Sequence, residues 1–266
     1  MSERPAWVPD SIDLDLPSAA RVYDYLLGGG HNFAVDRLVG QKVLQVLPNG
    51  GQIAGSNRAF LRRAVLYMVE QGITQFLDLG SGIPTVGNVH EVAQEADPAC
   101  RVVYVDYDEV AVAHSQLLVE GNENVAVVAA DFCQPETVLA APDVTRLLDF
   151  SQPIGLLMVA VLHFVPDAKD PRGVVARYRD ALPPGSLVAL SHLTADQKPA
   201  EMAAVVEAMR ESRDPMYFRS YTEVLAMFEG LELVKPGVVS APQWRSEPGC
   251  SDVGATDVYV GLGRWA

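Results

Sequence analysis

The sequence predicts an α/β fold: a Rossmann-like, doubly wound, seven-stranded and mostly parallel sheet with an antiparallel last strand, plus a helical N-terminal cap. Three observations carry this expectation. From residue 73 onward, short apolar runs alternate with helical patterns. The runs are almost unbroken by polar residues, as expected for parallel strands covered on both faces. Before residue 73 there is no strand-like run, only segments with helical spacing of apolar side chains.

In chain order, "SAARVYDYLLGG", "DRLVGQKVLQVLP" and "SNRAFLRRAVLYMVEQG" read as helices, with Asp36 and Ser56 as N-caps and Gly72 closing the third. Strands are expected at "QFLDL" (75–79), "CRVVYVD" (100–106), "NVAVVAAD" (124–131), "PIGLLMVAVL" (153–162) and "GSLVALSHL" (185–193). Helices fill the gaps at "VGNVHEVAQEA", "DEVAVAHSQLLVEG", "TRLLDF" and "PRGVVARYRDAL". After the fifth strand come the helices "ADQKPAEMAAVVEAMRES" and "YTEVLAMFEG". The last two strands, "LELVKPGVV" and "TDVYVGLGRW", are close enough in sequence to form an antiparallel pair. The division expected is a cap over residues 1–72 and a nucleotide-binding domain over 73–266.

A chain of 266 residues with net charge −14 and a pI near 4.7 is poorly suited to nucleic acid, which needs clustered Lys and Arg. The one basic cluster, "NRAFLRR", is either a solvated helix face or the source of an arginine, Arg58 among them, for an anionic group. The longest apolar run, Gly155–Leu162, is too short to span a membrane, and the N-terminal stretch lacks the apolar core of a signal peptide. A cytoplasmic enzyme with no membrane or nucleic-acid partner is therefore expected. Cys100, Cys133 and Cys250 have neither disulfide-framework nor zinc spacing, so no metal is expected.

The chemistry is carried by the strand ends. "FLDLGSGIPTVGNVHEVA" places Asp78-x-Gly80-x-Gly82 after the first strand. A dinucleotide turn would need glycine at Thr85, and a carboxylate at Asp78 would repel a pyrophosphate but welcome a cationic amine. Asp106 ends the second strand 26 residues beyond Gly80, where a carboxylate accepts hydrogen bonds from ribose hydroxyls. Asp131, followed by Phe132, ends the third and suits an adenine, its amino group on the carboxylate and its face on an apolar side chain. The competing reading is that all three aspartates are helix N-caps. Amine, ribose and adenine without a phosphate site together describe S-adenosylmethionine (SAM). Ser81, Tyr107 and Ala160 beside these positions, and Tyr23, Asn32 and Arg58 from the N-terminal part, complete the candidate cofactor set.

The stretches "ARVYDYLLGGGHNFAVDR", "NRAFLRRAV", "QFLDLGSGIPTVGNVHEVAQ", "VVYVDYDEVAVAHSQ", "VAADFCQPE", "VAVLHFVPD", "ALPPGSLVALSH" and "FEGLELVKPGVV" resemble the class I SAM-dependent methyltransferases. More narrowly, they resemble an actinobacterial SAM-methyltransferase family with largely unassigned substrates. The resemblance spans residues 20–264. It implies a Rossmann-like domain with a helical cap, SAM as cofactor, Asp78, Gly80 and Gly82 at its methionine end, Asp106 on the ribose and Asp131 on the adenine. Pro84 departs from the wider class, which often has a third glycine there, but not from the narrower family.

The glycine triplet Gly28–Gly30 follows no strand, which argues against a phosphate loop. It reads as a joint that folds the first helices over the cofactor cleft, with Tyr23, His31, Asn32 and Asp36 as the polar residues of a lid, or else as a plain helix C-cap and turn. Methyl transfer needs a general base only if the acceptor loses a proton at or before attack. His163, at the end of the fourth strand, is the first candidate and His31 the second; the alternative for His163 is a backbone-bonded histidine under the loop. His192 is expected to support the cleft floor, and Tyr217, Phe218 and Arg219 to wall the acceptor pocket. The expected activity is methyl transfer from SAM to an O or N atom of a small-molecule acceptor. The alternative is a non-catalytic SAM- or S-adenosylhomocysteine (SAH)-binding regulator, and the loop spacing argues against a nicotinamide-dependent dehydrogenase.

Overall fold

The computed structural model describes residues 13–84, 87–246 and 256–266. Three helices come first: α1 (Ala19–Leu26), α2 (Ala34–Val46) and α3 (Gly50–Glu70). Strands β1 (Gln75–Leu79), β2 (Arg101–Asp106), β3 (Val125–Ala129), β4 (Gly155–Met158) and β5 (Leu187–Leu193) follow, all parallel. The helices between them are α4 (Val89–Ala96), α5 (Glu109–Leu118), α6 (Pro135–Leu139), α7 (Pro142–Leu147) and α8 (Pro171–Ala181). After β5 come α9 (Pro199–Met209), α10 (Tyr221–Ala226), β6 (Glu232–Leu233), β7 (Val239–Ser240) and β8 (Val258–Arg264).

The sheet runs β3-β2-β1-β4-β5-β8-β6, with β7 also on β8, and β8 antiparallel to β5. It has eight strands rather than seven because "LELVKPGVV" divides. Pro236 has no N–H to give to a ladder, and the turn at Gly237 (φ +92°), whose N–H donates to the Val234 carbonyl, leaves two short strands that each pair with β8. Alternate side chains serve opposite faces, as the pleat requires. Phe76 joins the layer of α3, α4 and α9, while Leu77 and Leu79 join the layer of α7, α8 and α10.

The N-terminal helices share the first of these cores. Val22, Val43, Phe60, Leu61, Val65 and Met68 lie in one apolar cluster with Phe76, Val102 and Met202, α2 packs on α9, and α3 packs on α4. Two N-cap expectations are corrected. Phe33 caps α2, while Asp36 sits at the third helical position, fully buried, and accepts from the Phe33 N–H (2.8 Å), the Ser18 N–H (3.1 Å) and Arg21 Nε (2.8 Å). Ser56 lies buried inside α3, which starts earlier than read because its first turn is glycine-rich and carries no side-chain cap. Gly72 does close α3, at φ +87°.

The glycine triplet is explained by Asp24. Gly28 takes φ +79° just past α1, ending the helix, and a side chain on Gly29 would collide with the Asp24 carboxylate. Asp24 Oδ2 then accepts from the His31 N–H (2.8 Å) and Asn32 Nδ2 (2.7 Å), so the turn wraps one buried carboxylate.

Candidate functional site

β2 and β3 lie to one side of the starting strand β1 and β4 lies on the other, so the topological switch point falls between β1 and β4. A cavity of about 450 Å³ lies there. Of the candidate residues it is lined by Tyr23, Arg58, Asp78, Gly80, Ser81, Gly82, Asp106, Tyr107, Asp131, Phe132, Ala160 and His163.

None of the three strand-end aspartates caps a helix: Asn88 caps α4, Asp108 caps α5 and Gln134 precedes α6. The N-cap reading therefore fails. Asp106 holds the loops together, accepting from the Gly82 N–H (2.7 Å) and the Asp108 N–H (2.8 Å), yet burial still pushes its carboxyl up to about 6. Asp78, inside β1 and 5% exposed, is pushed up to about 7, mainly by desolvation; the Arg58 guanidinium opposes the shift and Asp106 adds to it. Asp131 is half-buried, accepts from the Cys133 N–H (2.9 Å), and has Lys169 Nζ 3.5 Å from its other oxygen.

The backbone between them is tightly specified. Gly80 (φ +69°) has no room for a side chain, which would run into Val161, whereas Gly82 (φ +66°) borders open space. Ser81 donates its N–H to the Val105 carbonyl (3.2 Å), and its buried Oγ has no partner. Ala160 adopts φ +58°, a strained conformation for a residue with a side chain, and donates its N–H to Ser191 Oγ (2.7 Å). Strain of this kind just after a central strand is usual where loops are aimed at a ligand.

The arginine cluster divides by function. Arg58 lines the cavity, Arg62 reaches Glu95 in solvent (3.8 Å), and Arg63 donates to the Trp244 and Ala241 carbonyls (2.8 and 2.7 Å). His163 is 3% exposed, with Nδ1 3.5 Å from the Leu193 N–H. Burial, then the neighbouring His192 and Arg219, hold its pKa well below the ordinary imidazole range. His192 Nδ1 lies 2.6 Å from the Leu193 carbonyl, as a supporting residue should.

Several candidates fall outside the cavity. Asn32 is tied to Asp24 and to the Gly29 carbonyl (2.9 Å), and the exposed His31 ring lies 4.2 Å from that of His114 on α5. Both therefore serve the turn, because the triplet curls toward Asp24 rather than into the cleft. Asp36, expected in the lid, is buried against Arg21 instead. Tyr217, Phe218 and Arg219 do not line the cavity either, whereas their neighbours Asp214 and Met216 do. Arg219 is buried and donates to the Leu162 and Val165 carbonyls (3.1 and 2.8 Å) and to Asp167 (2.6 Å), fixing the loop after β4.

Of the stretch from Asp214 to Tyr221 expected to wall the pocket, the start reaches the cavity, through Asp214 and Met216 with the preceding Arg213. Arg213 stacks on the Tyr107 ring (4.7 Å) and gives its N–H to the Pro17 carbonyl (2.9 Å). Asp214 accepts from the Ala19 N–H (2.7 Å) and from the Tyr107 hydroxyl. Nothing local marks these residues, since their partners are far away in sequence. Thr85 and Cys250 lie outside the described residues.

A family model described as S-adenosyl methyltransferase matches residues 5–266. The chain belongs to this S-adenosyl methyltransferase family. Two solved structures agree with the assignment. One is a DUF574 family protein from Streptomyces avermitilis, 36% identical, with TM-score 0.91, covering 96% of this chain and 100% of its own. The other is a protein of Thermobifida fusca with a provisional methyltransferase name, 38% identical, with TM-score 0.92, covering 98% and 99%. No curated protein matches. The methyltransferase is a SAM-dependent enzyme on a Rossmann-like fold, and no helix among its described residues is long and apolar enough to cross a membrane.

Its residues fit the cofactor. Two buried carboxylates held near neutrality want a cation or hydrogen-bond donors beside them, the unpartnered Ser81 Oγ lies between them in the loop, and Gly82 leaves space where a side chain would intrude.

Proposed function

We propose that Asp78 receives the cofactor's ammonium, Arg58 its carboxylate, Asp106 the ribose hydroxyls, and Asp131 with Phe132 the adenine, and that a small molecule accepts the methyl group at O or N. The observation that carries this reading is Asp78, 5% exposed in the cavity wall, whose carboxyl is pushed by burial up to about 7 against the opposing charge of Arg58. An ammonium beside Asp78 offsets its desolvation. Bound SAM supplies a methyl group already activated by its sulfonium, so the protein's task is to hold the acceptor in line and exclude water. α1, whose Ala19 N–H is held by Asp214, and α2, packed on α9, serve as the cap over the cleft.

His163 is uncharged at neutral pH, and Nδ1 faces a backbone N–H, which leaves its proton on Nε2. That makes it a hydrogen-bonding wall for the acceptor more than a base. His163→Ala is expected to lower turnover roughly tenfold with SAM affinity within about twofold, measured by product formation and calorimetry. At saturating SAM the wild-type kcat should show no histidine limb between about pH 6 and 8; a limb near 6.5 that disappears in the variant contradicts this role.

The ribose assignment is tested by Asp106→Ala. Loss of two hydrogen bonds to a buried carboxylate is expected to weaken SAM binding about 100-fold, with Asp106→Asn intermediate. Unchanged affinity in the alanine variant removes Asp106 from the site. The net charge of −14 and the largely apolar cleft support a small acceptor and a cytoplasmic setting over a nucleic acid.

A further inference from the structure

Away from Asp78 the cavity extends into a lobe between α1, α2, α3 and α9. Its walls include Val22, Leu26, Val43, Ile53, Met202 and Val205. Among the described residues of these four helices, the only charged side chain lining the cavity is Arg58, whose charge acts on Asp78. A carboxylate or phosphate entering the lobe would lose its water and find no cation from these helices but Arg58, which the proposed function gives to the cofactor's carboxylate. The methionines provide adaptable thioethers that favour the edges of aromatic rings.

The polar groups the four helices give to the cavity are few. Tyr23 donates its hydroxyl to the Ala54 carbonyl (3.1 Å) and accepts from Asn57 Nδ2 (3.1 Å), so that hydroxyl is engaged. Asn57 Oδ1 is different: the residue is 3% exposed, lines the cavity, and this oxygen has no hydrogen-bond partner. Buried amide oxygens are almost always paired in folded proteins. An unpaired one in a cavity wall, next in sequence to Arg58 and beside Tyr23, marks a place where a ligand donor belongs.

We propose that this lobe takes a neutral, ring-bearing and mostly apolar acceptor whose nucleophilic hydroxyl or N–H donates to Asn57 Oδ1. The inference rests on the assignment of the Asp78 end to SAM. In the transfer the acceptor's heteroatom forms the new bond to the methyl carbon, the carbon–sulfur bond breaks with its electron pair left on sulfur, and the acceptor's proton passes to water. Asn57 orients the heteroatom and the apolar walls select against charge.

The test is calorimetry on protein saturated with SAH, using 1-naphthol and 1-naphthyl phosphate as probes. The naphthol is expected to bind, with the phosphate at least about tenfold weaker. Asn57→Leu is expected to weaken naphthol binding about tenfold, and Met202→Lys at least that much, each with SAH affinity within about threefold of wild type. Met202→Gln replaces the lysine variant where SAH titration shows that the latter has not folded. Phosphate binding as tight as naphthol, no naphthol binding to the SAH complex, or naphthol affinity unchanged by both the Asn57 and Met202 substitutions overturns the proposal and leaves the cofactor site standing. Failure of the wild-type protein to bind SAH overturns the cofactor site, and this inference with it.

Discussion

Asp78→Asn is expected to stabilise the ligand-free protein while destroying most of its affinity for SAM. The two effects have one cause. The Asp78 carboxyl titrates near 7 in the folded protein, against about 3.9 in an unfolded chain, because β1 buries it. A carboxyl with a raised folded pKa contributes stability in its neutral form. That contribution is complete below about pH 4 and is lost as pH rises through 7. At pH 8 the ionised side chain costs the free protein about 4 kcal/mol. Asparagine has no such penalty, so the variant should exceed wild type by about 2–4 kcal/mol at pH 8 and match it near pH 4, by urea unfolding at both values. The ammonium would then lose a charged partner worth about 3 kcal/mol, on the order of 100-fold in affinity. Such an exchange of stability for binding is common at functional sites.

Arg21→Met is expected to produce the largest loss of stability. Arg21 is 3% exposed and its Nε lies 2.8 Å from Asp36, which is fully buried; Nη1 is 3.7 Å from Asp108, the cap of α5. The side chain also donates to the Leu16 carbonyl and stacks on Phe33 (5.1 Å). Removing the guanidinium leaves two buried carboxylates without their cation, a loss of about 3–5 kcal/mol. In a protein of this size that lowers Tm by roughly 6–15 °C. SAM affinity should fall too, since Ala19, Ala20 and Tyr23 of α1 line the cavity. A Tm within about 2 °C of wild type, measured by calorimetry, contradicts the role given to this cluster.

The cofactor half of the site was legible because its signals are local. Asp78, Asp106 and Asp131 each stand at or just beside the carboxyl end of a largely apolar run, and the Gly80–Gly82 turn directly follows one of them. Parallel topology then brings Asp78, Asp106 and Asp131 to the same sheet edge without further information. The cap was less legible. Asp36 has the composition of an N-cap, but it was claimed by Arg21, fifteen positions away, a preference only the folded chain expresses. Asn32 and His31 sit beside the glycine triplet, yet the triplet folds around Asp24, so proximity in sequence placed them on the wrong side. Arg219 shows the same limit: an arginine in an aromatic stretch suits an acceptor pocket, but four oxygen and nitrogen partners on the loop after β4 and on β5 hold it inside the protein. Asp214 and Met216, which do reach the cavity, carry no periodicity or motif.

The account turns on Asp78 as the ammonium partner, and pH separates that role from a structural one. In the free protein Asp78 must release its proton before it can accept an ammonium, so affinity should rise with pH up to about 7 and level off above it. The most direct measurement is calorimetric titration of SAH, which carries the same ammonium, into wild type and Asp78→Asn from pH 5.5 to 8.5. The predicted result is an affinity that rises by more than tenfold per unit below pH 6 in wild type and by less than tenfold in the variant, whose remaining slope belongs to Asp106. The same pH profile and the same affinity in both proteins would show that the ammonium lies elsewhere.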